Sequence, residues 1–298
     1  MQLEQRTLQP GKAARGRAWR KPGVPSPLLL DRGTNSVSFR QKPELHRVLT
    51  VRDYSKVGII EFGWSKYQPG KSVKDSTKEP DKEENKKRAL SRARANVRRD
   101  CLEMGAAYIL TLTYHANMLD RATTLYHRQQ FDRRMRSIYG ERWRFLAVPE
   151  RQKRGAWHWH IVTPFQVDQA IALREWRAVT GDPTITQVDA GFKPNGKGNA
   201  YSKCAGYVAK YVGKDLDGEK SAGQHRYHVT RGLKVHPERF EVRPGAPKDT
   251  ESKMICDLIA FYFPKLDFVA WTAPMPAGSP FGFMRVERNQ LQPEEREE

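Results

Sequence analysis

The chain has 298 residues, with 53 Lys and Arg against 34 Asp and Glu, a formal net charge of +19 and a pI near 9.9; that excess favours a polyanionic partner, most simply nucleic acid. Three cysteines, Cys101, Cys204 and Cys256, lie far apart without a Cys-x-x-Cys pair, which argues against a zinc knuckle or a disulfide framework and for a reducing, intracellular compartment. No apolar run approaches the roughly 20 residues of a membrane span, and Leu28, Leu29 and Leu30 make too short a core for a signal peptide.

Residues 1–45 are rich in Arg, Lys, Gly, Pro, Gln and Ser without periodicity, and are expected to form a flexible basic arm. Residues 46–51 and 57–62 read as two short strands around a polar turn, and 65–80 as a linker. A helix is expected over 82–104, with residues 86–99 free of acids and Ala89, Ala93, Val97 and Leu102 as a thin apolar stripe. Its basic face suits either a DNA backbone or plain solvation. Residues 107–114 read as a buried strand. A helix follows over 123–139, with Leu125, Phe131, Met135 and Ile138 on one side and Gly140 at its end.

Strands are expected at 143–148, closed by Glu150, and at 157–163, joined by a polar turn at 151–155. A helix over 167–179 carries Ile171, Leu173 and Trp176; a strand at 184–188, a Gly/Lys loop at 191–198 and a helix over 199–215 complete the series. This order is the βαββαβ split motif, so the fold class is α+β: an antiparallel sheet of about five strands with helices on one face. Beyond it, 226–230 and 233–235 read as a strand–turn pair around Gly232. A helix over 252–263 ends at Pro264, 268–272 reads as a strand, and 286–298 as a frayed end. The expected division is an arm at 1–45, accessory strands and a basic helix at 46–104, a main domain at 105–236, and a C-terminal extension at 237–298 that packs on it.

Two stretches carry chemistry. Trp157-His158-Trp159-His160-Ile161-Val162 has the composition of a strand. Alternation puts His158 and His160 on one face about 7 Å apart, near enough to share a metal ion, and turns Trp157, Trp159 and Ile161 towards a core. In the helix that follows, Tyr207 and Tyr211 are four residues apart and share a face, as do Lys210 and Lys214. Each phenol then has a cation one turn away that can favour a phenolate or steady a phosphate; the same pattern also suits two core tyrosines with outward lysines. A third stretch is a decoy: Gly191 to Lys197 has the spacing of a nucleotide-binding P-loop, but Gly198 stands where the Ser or Thr for Mg²⁺ belongs. A basic Gly-rich loop there better suits DNA phosphates. Trp143, Trp176 and Tyr201 could stack on bases and read more simply as core.

Ile109-Leu110-Thr111-Leu112-Thr113-Tyr114, Trp157-His158-Trp159-His160 and Tyr207-Val208-Ala209-Lys210-Tyr211-Val212-Gly213-Lys214 resemble the three ordered motifs of the HUH-superfamily rolling-circle replication initiators. The likeness is greatest to the two-tyrosine initiators of small single-stranded DNA phages and covers roughly residues 105–236. It implies a site-specific endonuclease and strand transferase that nicks and rejoins single-stranded DNA through a 5′-phosphotyrosine. His158 and His160 would be ligands of Mg²⁺ or Mn²⁺, with Glu150 on the preceding strand as the third. Tyr207 and Tyr211 would be the nucleophiles, accompanied by Lys210 and Lys214. Thr111, Thr113 and Tyr114 belong to a motif that is mainly structural, and His115 reads as a spare histidine. Lys193, Lys197, Lys203, Arg151 and Arg154 are the expected DNA contacts. The implied partners are an origin hairpin or stem-loop and a host helicase and polymerase, in a bacterial cytoplasm and with no membrane. The tyrosine motif follows the histidine motif, as in initiators and single-tyrosine transposases, whereas in conjugative relaxases it precedes it. Tyr211-Val212-Gly213-Lys214-Asp215 also fits the single-tyrosine form, so a transposase remains an alternative, as does a catalytically silent DNA-binding regulator. A zinc protease lacks its His-Glu-x-x-His helix.

Overall fold

In the computed structural model the described residues are 46–67, 82–190, 199–212, 225–233, 236–242, 245–247, 249–265, 268–272 and 281–288. The expected basic arm, the Gly/Lys loop and Lys214 lie outside them. In chain order the elements are β1 (His46–Tyr54), β2 (Ile59–Tyr67), α1 (Lys82–Met104), β3 (Tyr108–Thr113), α2 (Arg121–Tyr139), β4 (Leu146–Arg151), β5 (Trp157–Thr163), α3 (Gln169–Thr180), β6 (Asp189–Ala190), α4 (Ala200–Tyr211), β7 (His228–Val229), β8 (Glu238–Val242), α5 (Thr250–Tyr262), β9 (Phe268–Thr272) and β10 (Phe281–Arg288). The fold is α+β, with two antiparallel five-stranded sheets. No helix among the described residues is long and apolar enough to cross a membrane.

The split motif forms the central sheet, in the order β6-β3-β5-β4-β7. Side-chain alternation divides it cleanly. Leu110, Leu112, Trp159 and Ile161 meet Phe131 and Met135 of α2 and Ala172 and Trp176 of α3 on one face. Ile109, Val148 and Val162 meet Val97 and Cys101 of α1 and Cys204 and Val208 of α4 on the other. Helices therefore cover both faces, not one, because α1 and α4 each bring an apolar stripe of their own. Trp143, Trp176 and Tyr201 are all fully buried, so none is a stacking platform.

Local chemistry sets the ends. The Asp120 carboxylate accepts from the N–H groups of Ala122 and Thr123 and starts α2, and Gly140, at φ +58°, ends it. Asp168 and Asn199 cap α3 and α4 in the same way. Ile138, expected to face the core, is 41% exposed; the buried line of α2 is Thr124, Arg128, Phe131 and Met135. The strand expected at 143–148 begins three residues later, because Trp143 closes a 3₁₀ turn at Gly140–Arg142 and donates its indole N–H to Asp132 at 2.7 Å. The strand expected at 184–188 is absent. The Thr184 N–H bonds to Asp182 and the Ile185 carbonyl accepts from Arg177, so local side chains take the groups a ladder would use. Pairing is confined to Asp189 and Ala190. The pair expected around Gly232 is replaced by His228–Val229 added to the free edge of β4.

The second sheet, in the order β8-β1-β2-β10-β9, joins chain segments more than 200 residues apart. Leu49, Val51, Ile60, Phe62 and Val286 pack under Ile255 and Leu258 of α5 and under Phe263. Residues 281–288, expected in part as a frayed end, form a strand along β2. Gly282 lies opposite Trp64, and a Cβ there would fall 2.1 Å from the indole. Gly282→Ala must push the ring out of its seat, and is expected to cost about 1–3 kcal/mol in urea unfolding. An unchanged midpoint would show that the indole moves freely.

Two contacts tie this sheet to α4. The Asn199 amide donates to the Val57 carbonyl at 2.7 Å, and Arg285 of β10 donates to the Ser202 hydroxyl at 3.1 Å. The first turn of α4 is thus held from the sheet that the motifs do not include.

Candidate metal centre and tyrosine helix

Strands β4 and β5 form a tight hairpin in which Glu150 lies directly opposite His158, and Thr111 on β3 lies opposite His160. The hairpin turn closes with Gln152 N–H on the Ala156 carbonyl at 2.8 Å. On the far face Trp159 is 1% exposed in the core, and Trp157 donates its indole N–H to the Leu119 carbonyl at 3.1 Å. These anchors fix the strand's rotation and present both imidazoles on the near face.

One Glu150 carboxylate oxygen lies 2.6 Å from Nε2 of His158 and 2.7 Å from Nε2 of His160. All three residues are buried, and their ligand atoms lie within 4.8 Å of one another. Two imidazole nitrogens and a carboxylate oxygen converging on one point are a donor set for a divalent cation, so this buried triad could bind a metal ion. The outer ring nitrogens are also held: Nδ1 of His160 is 3.4 Å from the Thr111 hydroxyl, and Nδ1 of His158 is 3.2 Å from the Gln152 amide. Such partners orient ligating histidines. Gln152 carries no sequence signal beyond its place in the turn; Thr111 sits in the first motif.

Helix α4 lays its tyrosines over this centre. The Tyr211 ring stacks on His160 with centroids 3.8 Å apart, and its hydroxyl donates to the Tyr207 hydroxyl at 2.6 Å. The Tyr211 phenol is pushed well above its usual range, first by burial, then by the hydrogen bond to Tyr207 and by the Glu150 charge. The Lys210 ammonium lies 5.9 Å from the Tyr207 ring centre. The sequence placed these residues on one helix; that the helix end lies against the histidines is new.

The expected DNA contacts divide. Lys193, Lys197 and Lys214 lie outside the described residues. Lys203 is half-buried on α4, and Arg151 is exposed with its guanidinium 5.4 Å from the Trp157 ring centre. Arg154 donates to the Tyr114 carbonyl at 2.8 Å, the His115 carbonyl at 3.3 Å and the Gln152 amide oxygen at 2.9 Å. It braces the hairpin turn behind His158. His115 meets the Thr184 hydroxyl at 3.1 Å. Next to the triad, on the β3–β6 side, a cleft of about 330 Å³ is lined by Thr113, His115, Arg154, Thr186, Gln187 and Asp189, among others.

Neither the comparison with curated proteins nor that with solved structures finds a match for the chain. Residues 107–216, which carry β3, the buried triad and the tyrosine helix, match the family model of the ORF2-type replication-associated protein, and the match is consistent with a rolling-circle replication initiator.

Proposed function

We propose that the chain nicks and rejoins single-stranded DNA at a replication origin, with Tyr207 or Tyr211 as nucleophile and a 5′-phosphotyrosine as intermediate. The observation that carries this reading is the 3.8 Å stack of Tyr211 on His160 with the two phenol oxygens 2.6 Å apart. It brings both candidate nucleophiles to the edge of a candidate metal centre.

The phenolic oxygen attacks the phosphorus, the bond from phosphorus to the 3′ oxygen breaks, and that oxygen takes up a proton as the phenol loses one. The phosphoester is exchanged rather than hydrolysed, so a 3′ hydroxyl can later attack the phosphotyrosine and reseal the strand without a nucleotide cofactor. A free tyrosine has a pKa near 10, and the buried Tyr211 is a weaker acid still, so the attacking phenol needs help. Tyr207 accepts the Tyr211 proton in a hydrogen bond, and Lys210 lies beside its ring. A Mg²⁺ or Mn²⁺ ion held by Glu150, His158 and His160 would supply positive charge to the scissile phosphate. The released 3′ hydroxyl is suited to prime a host polymerase behind a host helicase, and a hairpin would present the strand unpaired.

The test uses oligonucleotides from single strands of the protein's own replicon with Mn²⁺, and maps the adduct by mass spectrometry. A covalent DNA adduct on Tyr207 or Tyr211, lost when both are changed to Phe, is the expected result. An adduct confined to Tyr211 would favour the single-tyrosine scheme. No adduct on any strand, or an adduct that survives the double variant, overturns the reading.

A further inference from the structure

The face of the central sheet turned away from the triad carries a second polar cluster that the proposed reaction does not use. Arg128 of α2 is 6% exposed, and its guanidinium carbon lies 5.7 Å from the Phe145 ring centre and 5.9 Å from that of Trp159. The rings of Trp159 and His228 are 5.9 Å apart, and those of His228 and His225 are 6.0 Å apart. Arg121 reaches the same corner, donating to the His225 carbonyl at 3.2 Å.

Three buried nitrogens here have no hydrogen-bond partner among the described residues: Nε of Arg128, Nε1 of Trp159 and Nε2 of His228. Two of them can only donate, and the third donates in the matching tautomer. The one acid near Arg128 is Asp132, a turn along α2, and its carboxylate accepts the Trp143 indole N–H. The surroundings are strongly positive: burial, Arg128, His225 and Arg121 together lower the His228 pKa to about 4. A buried guanidinium without its hydrogen bonds costs several kcal/mol, on the order of what unpaired buried charges cost generally. Stacking on two aromatic rings returns roughly 0.5–2 kcal/mol. The arginines repel a cation, so the histidine pair is no metal site. What the cluster lacks is an anion with several acceptor atoms.

We propose that Arg128, Trp159 and His228 form a binding site for a phosphate-class oxyanion on the sheet face opposite the catalytic one. The burial suits a free oxyanion or a terminal phosphate monoester, and excludes the uninterrupted backbone of a passing strand. The inference does not depend on the nicking reading, since Arg128 and His228 take no part in it.

The experiment is thermal unfolding of the full chain at pH 7.5, with inorganic phosphate exchanged for chloride at constant ionic strength. A saturable rise in Tm of roughly 3 °C at ten times the Kd is expected. Arg128→Met and His228→Phe each lose that rise relative to their own baselines, while Arg133→Met, on the exposed side of the same helix, keeps it. If Arg128→Met does not fold, His228→Phe alone decides. No phosphate-specific rise in the wild type, or a rise that survives in the folded variants, overturns the site and leaves Arg128 as an aromatic-stacked structural cation. A second arm compares 5′-phosphorylated with 5′-hydroxyl oligonucleotides. At least fivefold tighter binding of the phosphorylated strand, lost in His228→Phe, assigns the site to a DNA end; equal binding beside a retained inorganic phosphate shift assigns it to the free anion.

Discussion

Glu150→Gln is expected to weaken Mn²⁺ binding by more than about 100-fold, on the order of the larger losses seen when metal sites lose a determinant, while the chain stays folded. The substitution keeps the shape of a side chain wedged between two imidazoles at 2.6 and 2.7 Å, but it removes the one negative charge of the triad. A divalent cation would then have only neutral donors in a buried site, where desolvating the ion is costly. Thr111→Val is a milder version of the same test. It removes the hydroxyl 3.4 Å from Nδ1 of His160 and leaves all three ligand atoms, so a loss of roughly 10-fold is expected. Calorimetric titration with Mn²⁺ measures both, and circular dichroism checks the fold. Retention of wild-type Mn²⁺ affinity in Glu150→Gln would show that the carboxylate serves only to seat the two histidines, and the metal centre would have to be abandoned.

The triad and the tyrosine helix were legible in the sequence because each rests on a short periodicity. Alternation in 157–162 puts both histidines on one face whatever the rest of the chain does, and a five-residue turn leaves Glu150 little choice but to meet His158. The bounds of α1 agree with the expected 82–104, since a polar run without Gly or Pro has few other options. The second sheet was not legible as a sheet. Its hairpin β1–β2 reads locally, but β10 pairs with β2 across more than 200 residues, and its sequence, Phe-Gly-Phe-Met-Arg-Val-Glu-Arg, breaks alternation with a glycine and three charges. Those charges looked like a solvated end. Arg285 is instead largely enclosed against Glu61. Buried arginines such as Arg128 and Arg285 are hidden for the same reason: nothing in composition separates a guanidinium that faces water from one that faces a core.

That enclosed charge makes an asymmetric prediction. Glu61 of β2 lies opposite Arg52 on β1 and Arg285 on β10. Arg285 donates to it at 2.5 and 3.1 Å, and Arg98 of α1 lies near enough for both Glu61 and Arg285 to influence it. One carboxylate thus serves three guanidiniums, and burial together with neighbouring cations already lowers the pKa of Arg52 and of Arg98. Changing Arg285 to Gln leaves Glu61 two cations and is expected to cost about 1–2 kcal/mol. Changing Glu61 to Gln leaves three cations facing one another without an anion, and is expected to cost about 3 kcal/mol, on the order of other broken buried pairs. Replacing both with apolar residues should recover much of the loss. Equal costs in urea unfolding, or the reverse order, would refute the shared-carboxylate account. The same variants reach the chemistry by one route. Arg285 also holds the Ser202 hydroxyl in the first turn of α4, whereas Glu150, His158 and His160 sit on strands it does not touch. Arg285→Gln should therefore slow adduct formation about 10-fold through misplaced tyrosines and leave Mn²⁺ affinity unchanged. A merely destabilising lesion would lower both together, so the split between the two readouts separates positioning of the nucleophile helix from general loosening of the fold.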